Sequence, residues 1–256
     1  MVLGVIGGTG LETLPLFSAA VQENIVTPYG EVCLYKVRYG GADLFFLPRH
    51  GLTHSVPPHL INYRANIAAL SKVGANQVLA FCSVGSMVES IRPGSLVLME
   101  QFVDATWGRE HTFSEVGRVG HAEMTHPYCT RLSALAREAA AANGIKLTPG
   151  GVYYCTQGPR FETPAEIKIY SALGCNVVGM TSVPETSLAK EAGLCLASIG
   201  IVGNYAAGLT AKIDSADVTV KTRAAEYKVC AIIESVITAL TEERDCDCAE
   251  GGFISF

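Results

Sequence analysis

Three short apolar runs, each followed by a polar loop, lie between residues 151 and 205 and constrain the fold more than any other stretch. They cover residues 152–155, 177–180 and 194–202. Runs of this length without polar alternation are typical of strands that are buried on both faces of a sheet. We therefore expect an α/β sheet whose strand ends carry loops and helix starts, which is where ligands bind in open α/β sheets.

Two helix starts are predicted in the same stretch. Thr163 and Glu166 have the T-x-x-E spacing of a capping box, and Ser182 and Glu185 have the S-x-x-E spacing. In a capping box the first side chain accepts from a backbone N–H three residues on, and the acid accepts in return. Both pairs thus predict helices that begin just after a strand. Near the end of the chain, residues 215–240 predict one long closing helix.

Several separated motifs resemble the trimeric purine nucleoside phosphorylase and 5'-methylthioadenosine phosphorylase family. They are VIGGTG at 5–10, PRHG at 48–51, YRANI at 63–67, GPRFETPAE at 158–166, NVVGMTSVPE at 176–185 and GNYA at 203–206. Together they span nearly the whole chain in the family's order. The resemblance implies a single α/β domain over residues 1–243, with a mixed, twisted and partly barrel-like sheet flanked by helices. Residues 244–256 are then a tail, which we expect to be loose.

Three polar loops at strand ends favour an anion site. Glycines 7, 8 and 10 allow backbone N–H groups to converge, and an Arg-His pair offers a fork of donors. An ordinary glycine turn and a surface Arg beside a structural His are the plain alternatives. NAD binding fits less well, because the spacing is not G-x-G-x-x-G and no acid ends the strand at 32–37. The resemblance assigns phosphate binding to Thr9, Arg49, His50, Ser83, the Val84 backbone and Thr181.

The resemblance also implies a nucleoside site. The expected contacts are Phe161 stacked on the base, Met180 near the ribose hydroxyls, Glu162, Asn204 and Ala206 around the base, and His121, which reaches the neighbouring subunit's site from a long loop at 104–125. Asn204 and His50 are the residues expected to act in catalysis. The reaction is phosphorolysis, so inorganic phosphate is a co-substrate and we expect neither a metal nor an organic cofactor.

Two positions separate the subfamilies. Methylthioadenosine phosphorylases carry an Asp-x-Asp pair where this chain has Asn204 and Ala206. An Asn amide can donate to a 6-oxo oxygen and accept from N7–H, which an ionised Asp cannot do. Glu162 matches the Glu that holds N1–H of 6-oxopurines. These departures predict a purine nucleoside phosphorylase for inosine and guanosine, with S-methyl-5'-thioinosine or 5'-methylthioadenosine phosphorylase as the alternative. The 5' pocket stays open.

Other classes of function carry less support. An NAD-dependent oxidoreductase and a non-catalytic nucleoside-binding protein remain alternatives. A net charge of −5 and a pI near 5.7 argue against nucleic acid or an anionic membrane as partner. No apolar run approaches the roughly 20 residues that span a bilayer, and the first residues predict a strand, not a signal peptide. We expect a cytoplasmic protein. Charged residues are only 17%, which favours an extensive apolar subunit interface. The family resemblance implies a homotrimer or a dimer of trimers.

Nine cysteines are many for such a chain. Cys246 and Cys248 form a C-x-C in an acidic tail where packing explains little. Thermophilic members of the resembled family carry a similar C-x-C and internal disulfides, which implies the pairs Cys246–Cys248 and Cys129–Cys195. A zinc site is disfavoured because neither a second C-x-x-C nor a nearby His completes a ligand set.

Overall fold

Nine strands form one mixed sheet in the computed structural model, which describes residues 1–11, 14–254 and 256. The strands are β1 Val2–Gly7, β2 Val21–Thr27, β3 Gly30–Tyr39, β4 Ala42–Pro48, β5 Gln77–Ser86, β6 Leu96–Asp104, β7 Leu147–Cys155, β8 Val177–Gly179 and β9 Cys195–Tyr205. Their order is β2-β3-β4-β1-β5-β8-β7-β6-β9, and β5 also pairs with β9. The last five strands therefore close on themselves, which confirms the partly barrel-like α/β sheet.

Four parallel neighbours in this sheet set the position of the functional loops. Strand β1 runs parallel to β4 and β5, and β5 runs parallel to β9. The short strand β8 pairs with the end of β5, where Gly85 lies opposite Val178. Because parallel strands end at the same edge, the loops after β1, β4, β5 and β9 meet at one place.

Helices cover both faces of the sheet. They are α1 Tyr63–Lys72, α2 Thr130–Ala142, α3 Pro164–Ala172, α4 Ser182–Glu191, α5 Ser215–Arg223 and α6 Glu226–Ala239. Helices α1 and α4 bury apolar side chains such as Ile67 and Leu188 in one core layer. Helices α2 and α6 bury Leu132 and Ile233 in a second layer on the other side. Burial on both faces explains why β5 and β9 are almost continuously apolar.

The closing segment is two helices, so the expectation of one long helix over 215–240 is wrong. Helix α5 ends at Arg223, and α6 begins at Glu226. The two helices have different neighbours. Val218 and Thr222 of α5 lie against Gly203 near the end of β9, whereas α6 packs against α2. A straight helix could not serve both surfaces.

The tail is packed, not loose. Cys248 is 6% exposed, and the backbone N–H of Phe253 donates to the carbonyl of Glu191 at 2.9 Å. Arg244 donates to the carbonyl of Gly193 at 2.8 Å. The tail is thus held against the loop between α4 and β9. None of the helices in the described part of the chain combines the length and apolar character needed to cross a membrane.

Candidate active site

A cavity of about 760 Å³ lies where β1, β4, β5 and β9 end. All of the predicted site residues except Ala206 and His121 line it. These lining residues are Thr9, Arg49, His50, Ser83, Val84, Phe161, Glu162, Met180, Thr181 and Asn204. Residues predicted from separate motifs are thus brought to one place by the parallel strands.

The loops after β1 and within β5 form one wall of the cavity. A Cβ on Gly8 would lie 2.7 Å from Nη1 of Arg49 and 3.1 Å from the carbonyl of Phe81, so only glycine allows this approach. Ser83 Oγ lies 3.0 Å from Thr222 Oγ1. Because Thr222 donates its own hydroxyl to a backbone carbonyl of α5, Ser83 is the donor in this pair. To donate to a phosphate oxygen, the Ser83 hydroxyl would have to rotate away from Thr222.

Arg49 and Glu185 form a fully buried ion pair at the base of the cavity, with both side chains 0% exposed. Arg49 Nε donates to Oε1 of Glu185 at 2.5 Å, and Nη2 donates to Oε2 at 2.7 Å. Nη1 donates to the carbonyl of Phe81 at 2.9 Å. Burial lowers the pKa of the Arg49 guanidinium, but the Glu185 carboxylate more than offsets this, so the pKa is raised. The fork of Nε and Nη2 thus holds Glu185, and the expected contact of Arg49 with phosphate stays a prediction.

His50 is 6% exposed and follows Arg49 in the same loop. Its Nδ1 lies 2.8 Å from the carbonyl of Val56. A carbonyl only accepts, so Nδ1 carries the proton, and Nε2 of the neutral ring is an acceptor. The ring also lies beside His54, with 4.5 Å between centroids.

Helix α4 begins at the cavity, but the predicted capping box of Ser182 and Glu185 is wrong. The N-cap is Thr181, whose side chain makes no capping bond. Ser182 Oγ lies 3.3 Å from Ser198 Oγ instead, and Glu185 belongs to the ion pair. The backbone N–H of Thr181 donates to the Tyr153 hydroxyl at 3.1 Å. In contrast, the capping box of Thr163 and Glu166 at the start of α3 is formed in both directions.

The opposite part of the cavity carries the expected base contacts. Glu162 is 9% exposed and accepts from Thr156 Oγ1 at 2.9 Å. Burial raises the pKa of its carboxyl above the ordinary value. Asn204 sits after a bulge at which β9 has one extra residue, so that it faces Gly85. Its Nδ2 donates to the carbonyl of Tyr205 at 2.7 Å. The ring of Phe161 is 39% exposed at the rim.

Two predicted residues lie elsewhere. Ala206 is 0% exposed and packs in a small apolar cluster with Ile167 and Val178, so it presents no surface to a ligand. The Ala206 side chain lies close to Gly85: a Cβ added to Gly85 would be 3.7 Å from the Cβ of Ala206. The small alanine side chain therefore leaves room behind Gly85. His121 is exposed on the long loop, next to the stretch where Gly120 packs against Phe253. Within one chain His121 does not reach the cavity.

Comparisons with known proteins agree with this geometry. The family model described as the phosphorylase superfamily matches residues 2–238. The chain belongs to the phosphorylase superfamily. It is 45% identical to a probable 6-oxopurine nucleoside phosphorylase of Dictyoglomus turgidum, covering 97% of this chain and 95% of that protein. It is 40% identical to a probable S-methyl-5'-thioinosine phosphorylase of Methanothermobacter thermautotrophicus, covering 96% and 87%. A methylthioadenosine phosphorylase structure from Schistosoma mansoni with adenine has a TM-score of 0.90 at 33% identity, covering 95% and 93%.

One residue of this phosphorylase that supports the site was missed from the sequence. Arg109 is 7% exposed, and in the described residues its guanidinium has no ion pair. It donates to the carbonyls of Met180 at 2.7 Å and Gln157 at 2.6 Å, and to the Tyr63 hydroxyl at 3.1 Å. Arg109 therefore holds in place the backbone of Met180 and Gln157, next to the residues expected to contact the sugar and the base. The available signal was that the aromatic and His-bearing loop at 104–125 carries two arginines, Arg109 and Arg118.

Proposed function

We propose that this phosphorylase cleaves 6-oxopurine nucleosides, inosine and guanosine, with inorganic phosphate to give the free base and ribose 1-phosphate. The observation that carries the proposal is that the buried carboxylate of Glu162 and the amide of Asn204 line the same cavity. Their hydrogen-bonding pattern complements a 6-oxopurine. Three of the expected phosphate contacts, Thr9, Ser83 and Thr181, line the same cavity.

The phosphate end supports phosphorolysis because its groups can hold a dianion beneath the sugar. Hydroxyls of Thr9, Ser83 and Thr181 are donors, and the Val84 N–H adds a backbone donor. Arg49 already has Glu185 as counter-ion, so it contributes through the hydrogens of Nη1 and Nη2 that do not point to Glu185 or Phe81. Phosphate is itself the nucleophile that attacks the anomeric carbon. We therefore propose that the reaction needs no organic cofactor and no catalytic metal.

The base end stabilises the leaving group. As the glycosidic bond breaks, electrons collect on the purine, and N7 takes up a proton. Asn204 donates one hydrogen to Tyr205, which leaves its carbonyl oxygen to accept from N7–H and its second amide hydrogen to donate to O6. Ionised Glu162 accepts from N1–H. Adenine presents an acceptor at N1, and an unpaired buried acceptor costs about 1–3 kcal/mol, so adenine nucleosides should be poor substrates.

The first experiment measures phosphate-dependent cleavage of inosine, adenosine, methylthioinosine and methylthioadenosine side by side. We expect inosine to be cleaved and both adenine compounds to react at least about tenfold more slowly, which corresponds to about 1.4 kcal/mol. Methylthioadenosine as the best substrate would overturn the account of the base site while leaving the family unchanged. Binding of inosine without turnover in phosphate would overturn the proposed reaction.

The variant Asn204→Asp tests the role of the amide. An ionised Asp can accept a hydrogen bond from the 6-amino group of adenine but cannot donate to O6 of hypoxanthine. We expect the ratio of kcat/KM for adenosine over inosine to rise by about tenfold or more. The matched control is Asn24→Asp, which makes the same charge change at an exposed position of β2. An unchanged ratio in the Asn204 variant would show that Asn204 does not determine the selectivity between the two bases.

Cleavage of S-methyl-5'-thioinosine is the second candidate function. It is favoured by the apolar side chains of Val56, Pro57, Pro58 and Val218, which also line the cavity and would suit a methylthio group better than a hydroxyl. The same four-substrate assay distinguishes the two functions, because the two inosine compounds differ only in the 5' substituent. A kcat/KM that is higher for methylthioinosine than for inosine would establish the second.

We further propose that the protein works in the cytoplasm as a homotrimer or a dimer of trimers. Exposed apolar side chains support an interface, among them Leu60 at 66% and Trp107 at 72%. In that assembly His121 would enter the cavity of a neighbouring subunit, as the family resemblance implies. Light scattering coupled to size exclusion gives the mass of the assembly. A monomer at micromolar concentration would contradict the proposal and would leave His121 without a role.

A further inference from the structure

Four cysteines from three separate parts of the sequence meet at the end of the molecule opposite the cavity. Their sulfur atoms all lie within 4.8 Å of one another. Cys129 is the N-cap of α2, Cys195 is the first residue of β9, and Cys246 and Cys248 come from the tail. All but the half-buried Cys246 are buried. The fold therefore completes the ligand set that the C-x-C lacked in sequence.

The predicted disulfides Cys246–Cys248 and Cys129–Cys195 are not formed. All nine cysteines are free thiols, and Cys195 Sγ lies 3.3 Å from Cys246 Sγ, whereas a disulfide bond measures about 2.05 Å. Four sulfurs around one zinc ion, each about 2.3 Å from the metal, lie roughly 3.8 Å from each other. The convergence of all four sulfurs on one point fits this second arrangement. Two separate disulfides would not require it.

Local donors favour thiolates in this cluster. The backbone N–H of Leu132 donates to Cys129 Sγ at 3.4 Å, at the positive end of a helix of 13 residues. A backbone N–H donor and the positive end of a helix both stabilise a thiolate over a thiol, and a divalent ion bound by these sulfurs would replace their protons.

We propose that Cys129, Cys195, Cys246 and Cys248 form a structural zinc site. Zinc binding would displace the four thiol protons and leave a closed tetrathiolate centre, which has no open position for substrate. The 11 residues of β9 separate Cys195 from the end at Asn204 and Tyr205, about 30 Å along an extended strand. The ion would fasten the tail to α2 and β9, and it would take no part in phosphorolysis.

The test begins with protein expressed in zinc-supplemented medium and purified under reducing conditions. Metal analysis should give one zinc per chain, and denaturation without reductant should expose all nine thiols and release that zinc to a chromogenic chelator. Replacement of zinc by cobalt should give thiolate-to-cobalt charge transfer and the strong visible bands of a tetrahedral centre. Protein without zinc that has fewer than nine titratable thiols would overturn the proposal in favour of disulfides. Nine thiols without bound metal would also overturn it.

Variants separate this site from a merely packed cluster. Cys248→Ser should lose its zinc, and Cys33→Ser, a half-buried cysteine of β3 outside the cluster, should keep it. A strong zinc chelator should lower the Tm of the wild type and of the Cys33 variant by about 5 °C or more. The Tm of Cys248→Ser should not respond to chelator. If Cys248→Ser does not fold, Cys246→Ser, at the less buried position, serves in its place. An equal change in Tm on addition of chelator in all variants would contradict the proposed zinc site.

Discussion

Two helix starts in this protein share the same sequence spacing, but only one of them forms a capping box. At the start of α3, Thr163 and Glu166 form the expected capping box, and Glu166 also pairs with Arg160 at 2.7 Å. At the start of α4, the corresponding Glu185 caps nothing and pairs with Arg49, which is distant in sequence. The difference lies in the surroundings. The Glu166 side chain is 29% exposed, whereas that of Glu185 is 0% exposed.

Burial explains why the second carboxylate leaves its helix. A buried carboxylate needs a cation and full hydrogen bonding, because its desolvation is far more costly than the loss of a cap. The start of α4 lies beneath the cavity, where the N–H of Thr181 is already satisfied by Tyr153. Glu185 is therefore available to fix Arg49 at the cavity wall. The spacing alone indicates that a capping box can form, and the tertiary environment determines whether it does.

The largest expected effect comes from Glu185→Gln. This change leaves the Arg49 guanidinium buried without a counter-ion, and breaking such a pair costs about 3–5 kcal/mol. The free energy of unfolding, measured by urea denaturation at fixed protein concentration, should fall by that amount. The matched variant Glu166→Gln keeps a capping acceptor and should lose about 1 kcal/mol or less. Equal losses in the two variants would mean that burial does not distinguish the two carboxylates.

The double variant Arg49→Met with Glu185→Leu separates the two roles of Arg49. Apolar side chains of similar volume can replace a buried ion pair at little cost, so most of the stability lost in Glu185→Gln should return. Phosphate loses a cationic neighbour, and we expect kcat/KM for phosphate to fall by about 100-fold or more. Binding of the free base, measured by calorimetry, should change little, because the base contacts lie elsewhere in the cavity. Retention of full phosphorolysis would make Arg49 purely structural.

The sequence could predict residues whose role follows from a strand end, and it missed those whose role depends on distant partners. Thr9, Ser83 and Asn204 follow or end buried strands, so a parallel sheet brings them together. Arg49 and Glu185 are 136 positions apart, and no periodicity reports such a contact. The same limit applies to the four cysteines. The family resemblance implied disulfides, and only the approach of the tail to α2 and β9 brings the four sulfurs together.

A smaller effect is expected at the exposed helix start. Thr163→Ala removes the oxygen that accepts from the N–H of Glu166 at 3.2 Å, and the loss of such a cap costs about 1 kcal/mol. Thr163→Ser keeps the oxygen and should be nearly neutral. The measurement is again urea denaturation of the three proteins. A loss in the Ser variant as large as in the Ala variant would show that the Thr163 methyl group, and not the cap, stabilises α3.

The smallest effect is the pH dependence of the same helix start. Hydrogen bonding from Arg160, and then from the Thr163 backbone, lowers the pKa of Glu166 from 4.5 to about 2. A carboxyl with a lowered folded-state pKa binds protons more weakly in the folded state. Its contribution to stability is therefore complete above pH 4.5 and is lost as the pH falls toward 2. Glu166 is partly exposed, so the contribution is about 1 kcal/mol or less.

The experiment compares the free energy of unfolding of the wild type and of Glu166→Gln between about pH 6 and about pH 3, a range that brackets the ordinary pKa of Glu. We expect the difference between the two proteins to shrink as the pH is lowered. A constant difference over this range would show that Arg160 does not lower the pKa of Glu166 in the folded protein. Glu166 and Glu185 would then differ in burial but not in having an effective ion-pair partner.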